Sequence, residues 1–461
     1  MCRDLSDGQF ESSGDRNRGE CPWRQTLRVA TTTLAVAATF LLPVGAAAAS
    51  PSVQAQQQDL RYMIGKLESH PELSKPGERQ AFEAYAQSIL GQAQRPLAGW
   101  RMVALEDRLA AWFHDPHTLT YLTADEPWVR ELPVDFYWLS DGLVTVRTSA
   151  SPAAIRTGDR VVAISGVTPS EIDKRLAALL AEETPARRNI AASLLPFSTV
   201  LQAVGAVEGN GTVALKLQGP GGTTSTVTVD FGPVRQQPLT ASAERFQNRY
   251  LVPPGLFQRG QTGSFWTWEV TTRYGFFLLD QCNLTAGYTA AVNAFFRAVA
   301  AQHAPVVVLD LQENGGGDSD VADAWLEHLP AKYKLADWRM GTMYGSAALV
   351  PQKEPIFHGK VYVLQSGMTF SSAMWLSDAL TGPGLGTRVG TAIGEPTAGY
   401  GNVKQYVTPE FHVPFQVSQV FFPPPKGPPQ PDLPAQIQLP VTVADVQQGV
   451  NPVARWLGTL P

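Results

Sequence analysis

The chain has 461 residues, of which 44% are hydrophobic and 17% charged, and a formal net charge of -5. That length provides for about two or three domains with substantial cores. The mild acidity and the lack of a basic patch exclude nucleic acid as the expected partner and point to peptides or small molecules.

In chain order, Arg24 and Arg28 precede an apolar run from Val29 to Val44 and the small residues Gly45 to Ser50. This is the layout of a secretory signal, with cleavage expected near Ala49 or Ala55 and a secreted or periplasmic mature chain; the alternative is an uncleaved anchor. Residues 1–58 are therefore read as leader and linker, the glutamines Gln56 to Gln58 forming the linker. No second apolar stretch reaches the roughly 18 residues that a membrane span needs. Cys2 and Cys21 precede the cleavage, which leaves Cys282 as a packing residue without a disulfide or metal-ligating partner.

Residues 59–130 are expected to be a small helical domain, because Leu60, Met63, Ile64 and Leu67 recur at helical spacing, as do Val103, Leu105, Leu109 and Trp112. It ends in Trp112-Phe-His-Asp-Pro-His-Thr118, where two histidines and an aspartate flank a proline. Alone, that stretch reads as a surface loop, and its histidines are poorly spaced for a metal. Residues 131–236 change to short strands and turns. Ile155 to Val167 reads as a hairpin, with Asp141 to Val146 as a preceding partner strand and a helical insertion over Leu176 to Gly211.

Residues 237–461 hold three strand-to-loop units, which suit an α/β sheet with one shared site. In the first, the β-branched run Val306 to Val308 ends in Leu309 and Leu311, and Asn314-Gly-Gly-Gly-Asp318 follows, leading into a helix expected to begin at the acidic residues from Asp318. The consecutive glycines permit dihedrals that other residues resist and a close approach to the backbone. No Lys-Ser/Thr and no G-x-G-x-x-G accompanies them, so nucleotide loops are set aside. Either a tight turn or N–H groups aimed at a developing oxyanion remains. In the second unit, Val361 to Leu364 runs into Thr369-Phe-Ser-Ser-Ala373, placing Ser371 and Ser372 where a loop becomes a helix; each reads either as a helix cap or as a nucleophile. In the third, Arg388 leads into Gly394-Glu-Pro-Thr-Ala-Gly-Tyr-Gly401.

These segments together resemble the S41 serine peptidases: the C-terminal processing peptidases, the tricorn-core proteins and interphotoreceptor retinoid-binding protein. Asp310-Leu-Gln-Glu-Asn-Gly-Gly-Gly317 is similar to the family's Asp-Leu-Arg-x-Asn-x-Gly-Gly, and Thr369-Phe-Ser-Ser-Ala373 to its nucleophile loop. Gly394-Glu-Pro-Thr-Ala-Gly399 is similar to Gly-Glu-x-Thr-x-Gly, and Asp115-Pro-His-Thr118 to Asp-Gly-His-Thr. Pro431-Asp432, Thr442 to Asp445 and Gly449 to Pro452 match the closing pattern. Ile155 to Val167 is also similar to the Gly-Asp-x-Ile-x-x-Ile-x-Gly signature of PDZ domains. The resemblance implies an α/β multidomain fold: a helical domain, a PDZ-like β-rich domain and a catalytic core of the type also called crotonase-like or ClpP-like.

By that resemblance Ser371 is the nucleophile, with Ser372 in reserve. The lysine base of the processing peptidases is replaced by Tyr400, and Lys404 is four residues further on, so His117 is favoured as base. Glu395 is the first choice to orient it, with Asp115 and Glu410 as rivals. The oxyanion hole is expected from the N–H groups of Gly315 or Gly316 with that of Ser372, and Asn314 and Tyr400 are expected to contact substrate. The implied function is a serine endopeptidase acting on polypeptides without cofactor or metal. The alternatives are a catalytically inactive binding protein for an apolar ligand or extended peptide, and a hydrolase of small esters.

Overall fold

Helical spacing is strongest at the start of the described chain, and three helices form there: α1 (Val53–Leu67), α2 (Glu78–Gln92) and α3 (Gly99–Ala111). The structure is a computed structural model that describes residues 52–180, 185–209, 211–234, 247, 249–330, 351–424 and 429–461. The expected leader through Ala49, with Cys2 and Cys21, lies outside them. Gln56 to Gln58, expected as linker, lie inside α1. The Gln57 side chain is buried because its Nε2 donates to the Leu90 and Ala93 carbonyls at the end of α2, at 2.9 and 3.0 Å, which offsets its desolvation. Ser52 caps α1 by accepting from the Ala55 N–H at 3.1 Å.

Past the short strand β1 (Leu119–Thr120), five antiparallel strands form a sheet in chain order: β2 (Val134–Leu139), β3 (Gly142–Arg147), β4 (Arg160–Ile164), β5 (Thr212–Gln218) and β6 (Thr224–Asp230). Residues 155–167 therefore supply one strand between β3 and β5 rather than a self-contained hairpin. Helix α4 (Pro169–Leu176) ends where the expected insertion begins, and α5 (Pro185–Leu194) and α6 (Ser198–Ala203) lie within it. One hydrophobic cluster runs from Leu60 in α1 through Leu215 in β5, so the helical and β-rich segments share a core instead of each closing its own.

The remaining chain builds β7 (Gln261–Thr262), β8 (Trp266–Val270), β9 (Gly275–Leu279), α7 (Ala286–Gln302), β10 (Val306–Asp310), α8 (Val321–Leu326), β11 (Lys360–Gln365), α9 (Ser372–Thr381) and β12 (Gly386–Gly390). Short strands β13 (Gly399–Gly401), β14 (Lys404–Val407), β15 (Pro414–Val417) and β16 (Val420–Phe422) precede β17 (Ile437–Gln438) and the closing helices α10 (Val443–Gln448) and α11 (Pro452–Leu457). The central sheet has the order β17-β12-β11-β10-β9-β8-β7, parallel from β17 to β9 and antiparallel beyond.

The apolar run of β10 is explained by burial on both faces. Val307 and Leu309 pack with Phe295 of α7 and Leu376 of α9, whereas Val306 and Val308 pack with Val453 and Leu457 of α11. Each such side chain contributes about 1.5–3 kcal/mol on burial. Helix α8 begins at Val321 with Asp320 as its cap position, later than the acidic residues suggested. Asp318 instead closes a local turn by accepting the Asp320 N–H at 3.0 Å. The loops after β10, β11 and β12 all leave from the C-terminal ends of parallel strands, so the site lies there.

Candidate active site

The glycine loop is braced from within by Asn314. Its side chain is fully buried; Oδ1 accepts the Gly316 N–H at 2.9 Å and Nδ2 donates to the Leu279 carbonyl at 2.9 Å. Asn314 is thus loop scaffold rather than the substrate contact expected, because both ends of its amide are committed to the backbone. The same bond engages the Gly316 N–H, which corrects its expected place as an oxyanion donor. Gly316 has φ +98, and a Cβ there would stand 2.6 Å from Ser371 Cβ and 2.8 Å from the Phe370 carbonyl oxygen. Gly317 has φ +134, and a Cβ there would lie 2.1 Å from the Cys282 carbonyl oxygen. Only glycine fits either position. Cys282 is buried, and its N–H donates to the Gly316 carbonyl at 3.0 Å, tying the loop to the chain after β9.

The serine loop packs directly on these glycines, with the Phe370 N–H donating to the Asn314 carbonyl at 3.0 Å. Ser371 occupies φ 55, ψ -124, a sparsely populated region for a residue with a side chain, and makes no capping bond to α9. Ser372 starts α9 in place, and its hydroxyl donates to the Gly317 carbonyl at 2.7 Å. The two serines are thereby told apart: one is held in a strained turn beside a cavity, the other is spent on the loop.

His117 reaches the same cavity from the far end of the sequence because β1 pairs with β15, Leu119 opposite Gln416. Gln416 Nε2 donates to the His117 carbonyl at 2.8 Å, and the imidazole lies on Phe370 with ring centroids 4.5 Å apart. Asp115 Oδ1 accepts the His117 N–H at 2.9 Å and stands 3.8 Å from His117 Nδ1. Glu395 Oε1 stands 3.9 Å from Nε2, while its Oε2 accepts the Ser371 N–H at 2.5 Å. Glu395 therefore faces Nε2, and the carboxylate beside Nδ1 belongs to Asp115, the reverse of the order expected. Nε2 of His117 is buried and has no hydrogen-bond partner among the described residues. Glu410, the other rival, is remote in role: its N–H donates to Asp59 of α1 at 2.9 Å.

The local electrostatics follow from burial. Burial pushes Asp115 up, but the His70 hydrogen bond, the charge of His117 and the Ser418 and Thr118 hydroxyls outweigh it and hold the carboxyl below its ordinary range. Burial pushes His117 down against the pull of Asp115, favouring the neutral, proton-accepting form. Glu395 is pushed up to about 8 by burial, with the Ser371 N–H opposing and Asp115 adding to the rise. Since Oε2 accepts from Ser371, the proton of neutral Glu395 belongs on Oε1.

His117, Ser371, Ser372, Glu395, Gly317 and Tyr400 line one cavity that opens to solvent. Met374, Trp375 and Phe422 give it an apolar wall. Gly315 is half-buried. Tyr400, at the position of the family lysine, donates its hydroxyl to Glu72, and Lys404 is exposed on β14. Burial and the Glu72 bond both push the Tyr400 phenol up, which makes it a poor base. His70 and Ser418, the partners of Asp115 Oδ2, carry no local motif that would mark them in the sequence.

Residues 275–420 match the family model described as peptidase family S41, a span that holds the glycine loop, Ser371 and Glu395. A comparison with curated proteins finds no match. Among solved structures, that of mature CPAF is similar at 15% identity with a TM-score of 0.63, covering 88% of this chain and 96% of that one. Mature CPAF complexed with lactacystin gives 14% identity and a TM-score of 0.62, covering 88% and 97%. At those identities the likeness shows the fold. The photosystem II D1 C-terminal processing protease, at 14% identity with 87% and 99% covered, has a TM-score of 0.42, too low to argue from. The family match over residues 275–420, with the shared α/β multidomain fold, supports a serine-type peptidase similar to peptidase family S41.

Proposed function

We propose that the chain is an endopeptidase in which Ser371 attacks the scissile carbonyl and His117 serves as general base. The observation that carries this reading is the meeting of Ser371, in its strained turn, with His117 in one cavity, though some 250 residues separate them. Nε2 of His117 takes the serine proton as the C–O bond forms, then gives it to the leaving amine; water releases the acyl group from Ser371 by the same route. Substrate binding has to bring Nε2 to within about 3 Å of the hydroxyl, as in other sites that tighten in the loaded complex.

Asp115 orients the imidazole through its Oδ1, and neutral Glu395 holds the serine loop through the Ser371 N–H. The oxyanion falls to the N–H of Ser372 and that of Gly317, the glycine lining the cavity, since Gly316 is engaged by Asn314. A missing donor in such a hole costs about 100- to 1,000-fold in turnover. Polypeptides are the substrates. The five-stranded sheet is read as a PDZ-like domain that docks an extended chain along β2, and Tyr137 of β2, which donates to Glu313 beside Asn314, supports a link from it to the glycine loop.

Secretion follows from the leader. Cleavage at Ala49 is favoured over Ala55, because the latter would remove Ser52, the cap of α1. The test of the function is hydrolysis of casein or a peptide by the mature chain and by Ser371→Ala and His117→Ala. Loss of turnover in both variants is expected; hydrolysis that survives both changes contradicts the assignment.

A further inference from the structure

His70 lies 45 residues before Asp115, caps the 3-10 turn Pro71–Ser74 and is fully buried. Both ring nitrogens are committed. Nδ1 accepts the Glu72 N–H at 3.1 Å, and Nε2 stands 3.1 Å from Asp115 Oδ2. A ring nitrogen that accepts from an N–H carries no proton, so the proton sits on Nε2 and is donated to Asp115. The Ser418 hydroxyl donates to the same oxygen at 2.6 Å. The other oxygen, Oδ1, is left for the backbone N–H and Nδ1 of His117. Turning the carboxylate would leave two buried donors unpaired, a loss that buried hydrogen bonds to charged groups make costly. The His70 ring is itself wedged between Phe113 and Tyr400, with centroids 4.2 and 4.6 Å away.

We infer that His70 is a positioning residue for the catalytic base: its Nε2–H, with the Ser418 hydroxyl, fixes Asp115 so that Oδ1 faces His117 Nδ1 and His117 Nε2 faces the Ser371 cavity. This role rests on the Ser371–His117 reading of the site. With Oδ1 beside it, Nδ1 of His117 holds the proton, which leaves Nε2 free to accept one from serine. His70 touches neither substrate nor the reacting atoms. The helical segment at the start of the chain thus reaches into the chemistry through one buried side chain, and Tyr400, packed on that ring, carries the contact to the cavity wall.

The titratable groups facing Asp115 are His70, His117 and Glu395, and those facing His70 from the other side are Glu72 and Tyr400. Without the His70 donor, burial is opposed only by His117 and the Ser418 and Thr118 hydroxyls, so Asp115 takes up a proton at higher pH and releases the imidazole.

The test compares His70→Phe, which keeps a ring but no donor, with His70→Gln, whose amide N–H can stand where Nε2–H does. For His70→Phe, kcat falls about 10- to 100-fold, KM stays within about twofold, and the acid limb of kcat/KM moves up by about one pH unit. His70→Gln restores most of the turnover and the wild-type acid limb. A folded His70→Phe with an unmoved acid limb, or equal loss in both variants, overturns the role. Ser371→Ala and His117→Ala run beside them separate the two levels: if these still hydrolyse peptide, the reading of the site fails, whereas if they are inactive and His70→Phe is like wild type, only the positioning fails. Should His70→Phe not fold, nitrogen-15 shifts of the wild-type histidines give the answer. The proton is expected on Nε2 of His70 and Nδ1 of His117, and the opposite tautomer at His70 overturns the inference.

Discussion

Glu395→Gln separates two roles for the carboxyl group beside Ser371. With its folded value raised from 4.5 to about 8, Glu395 is neutral at neutral pH, and glutamine is its near-isostere. In both folded and unfolded chains the group is protonated below about 4.5, where its contribution to stability is fully present. As pH rises from there the unfolded chain ionises and the folded one does not, so stability falls until the folded value near 8 is passed. At 1.36 kcal/mol per unit, about 4 kcal/mol is lost between pH 5 and pH 8. The carboxyl is only 7% exposed, so solvent screening does little to reduce this. Chemical denaturation of wild type and Glu395→Gln across that range should show the wild type losing about 4 kcal/mol more than the variant, since the other titrating groups are shared. Peptide turnover at neutral pH should stay within about tenfold of wild type. Parallel loss of stability in the two proteins refutes the raised value, and a fall in turnover of about 10,000-fold, the scale for amidating an ionised orienting carboxylate, refutes the neutral role.

Asp115→Asn should lower kcat by about 1,000- to 10,000-fold with little change in KM, because the amide can present its N–H to Nδ1 and favour the wrong tautomer; steady-state kinetics check it. Gly316→Ala forces a Cβ to 2.6 Å from Ser371 Cβ, and the displaced loop should cost at least about 100-fold in turnover and lower the melting temperature. Ser372→Ala removes only the bond to the Gly317 carbonyl, worth about 1 kcal/mol in denaturation, and should leave hydrolysis within about tenfold of wild type.

The central sheet was legible because burial on both faces leaves a mark in composition: Val306 to Leu309 could hardly be anything but an inner strand. The glycine loop was legible because Gly316 and Gly317 tolerate no side chain. Choosing between Ser371 and Ser372 was not possible from spacing, since both fall at the start of α9 and only the backbone turn at Ser371 and the Gly317 bond at Ser372 distinguish them. The resemblance implies that Asn314 contacts substrate, whereas only the fold shows both ends of its amide bonded to the backbone. Gln56 to Gln58 read as linker on polarity alone, whereas carbonyls some 33 and 36 residues away make Gln57 a core residue. His70 was invisible for the same reason: its meaning lies entirely in Asp115, which the fold brings to it.

A fluorophosphonate applied to the mature protein and to His117→Ala, with the modified residue mapped by mass spectrometry, tests the pairing of Ser371 with His117 itself. Labelling is expected on Ser371 and should fall sharply when His117 is removed. Labelling on Ser372, or labelling of Ser371 that is indifferent to His117, would contradict that pairing.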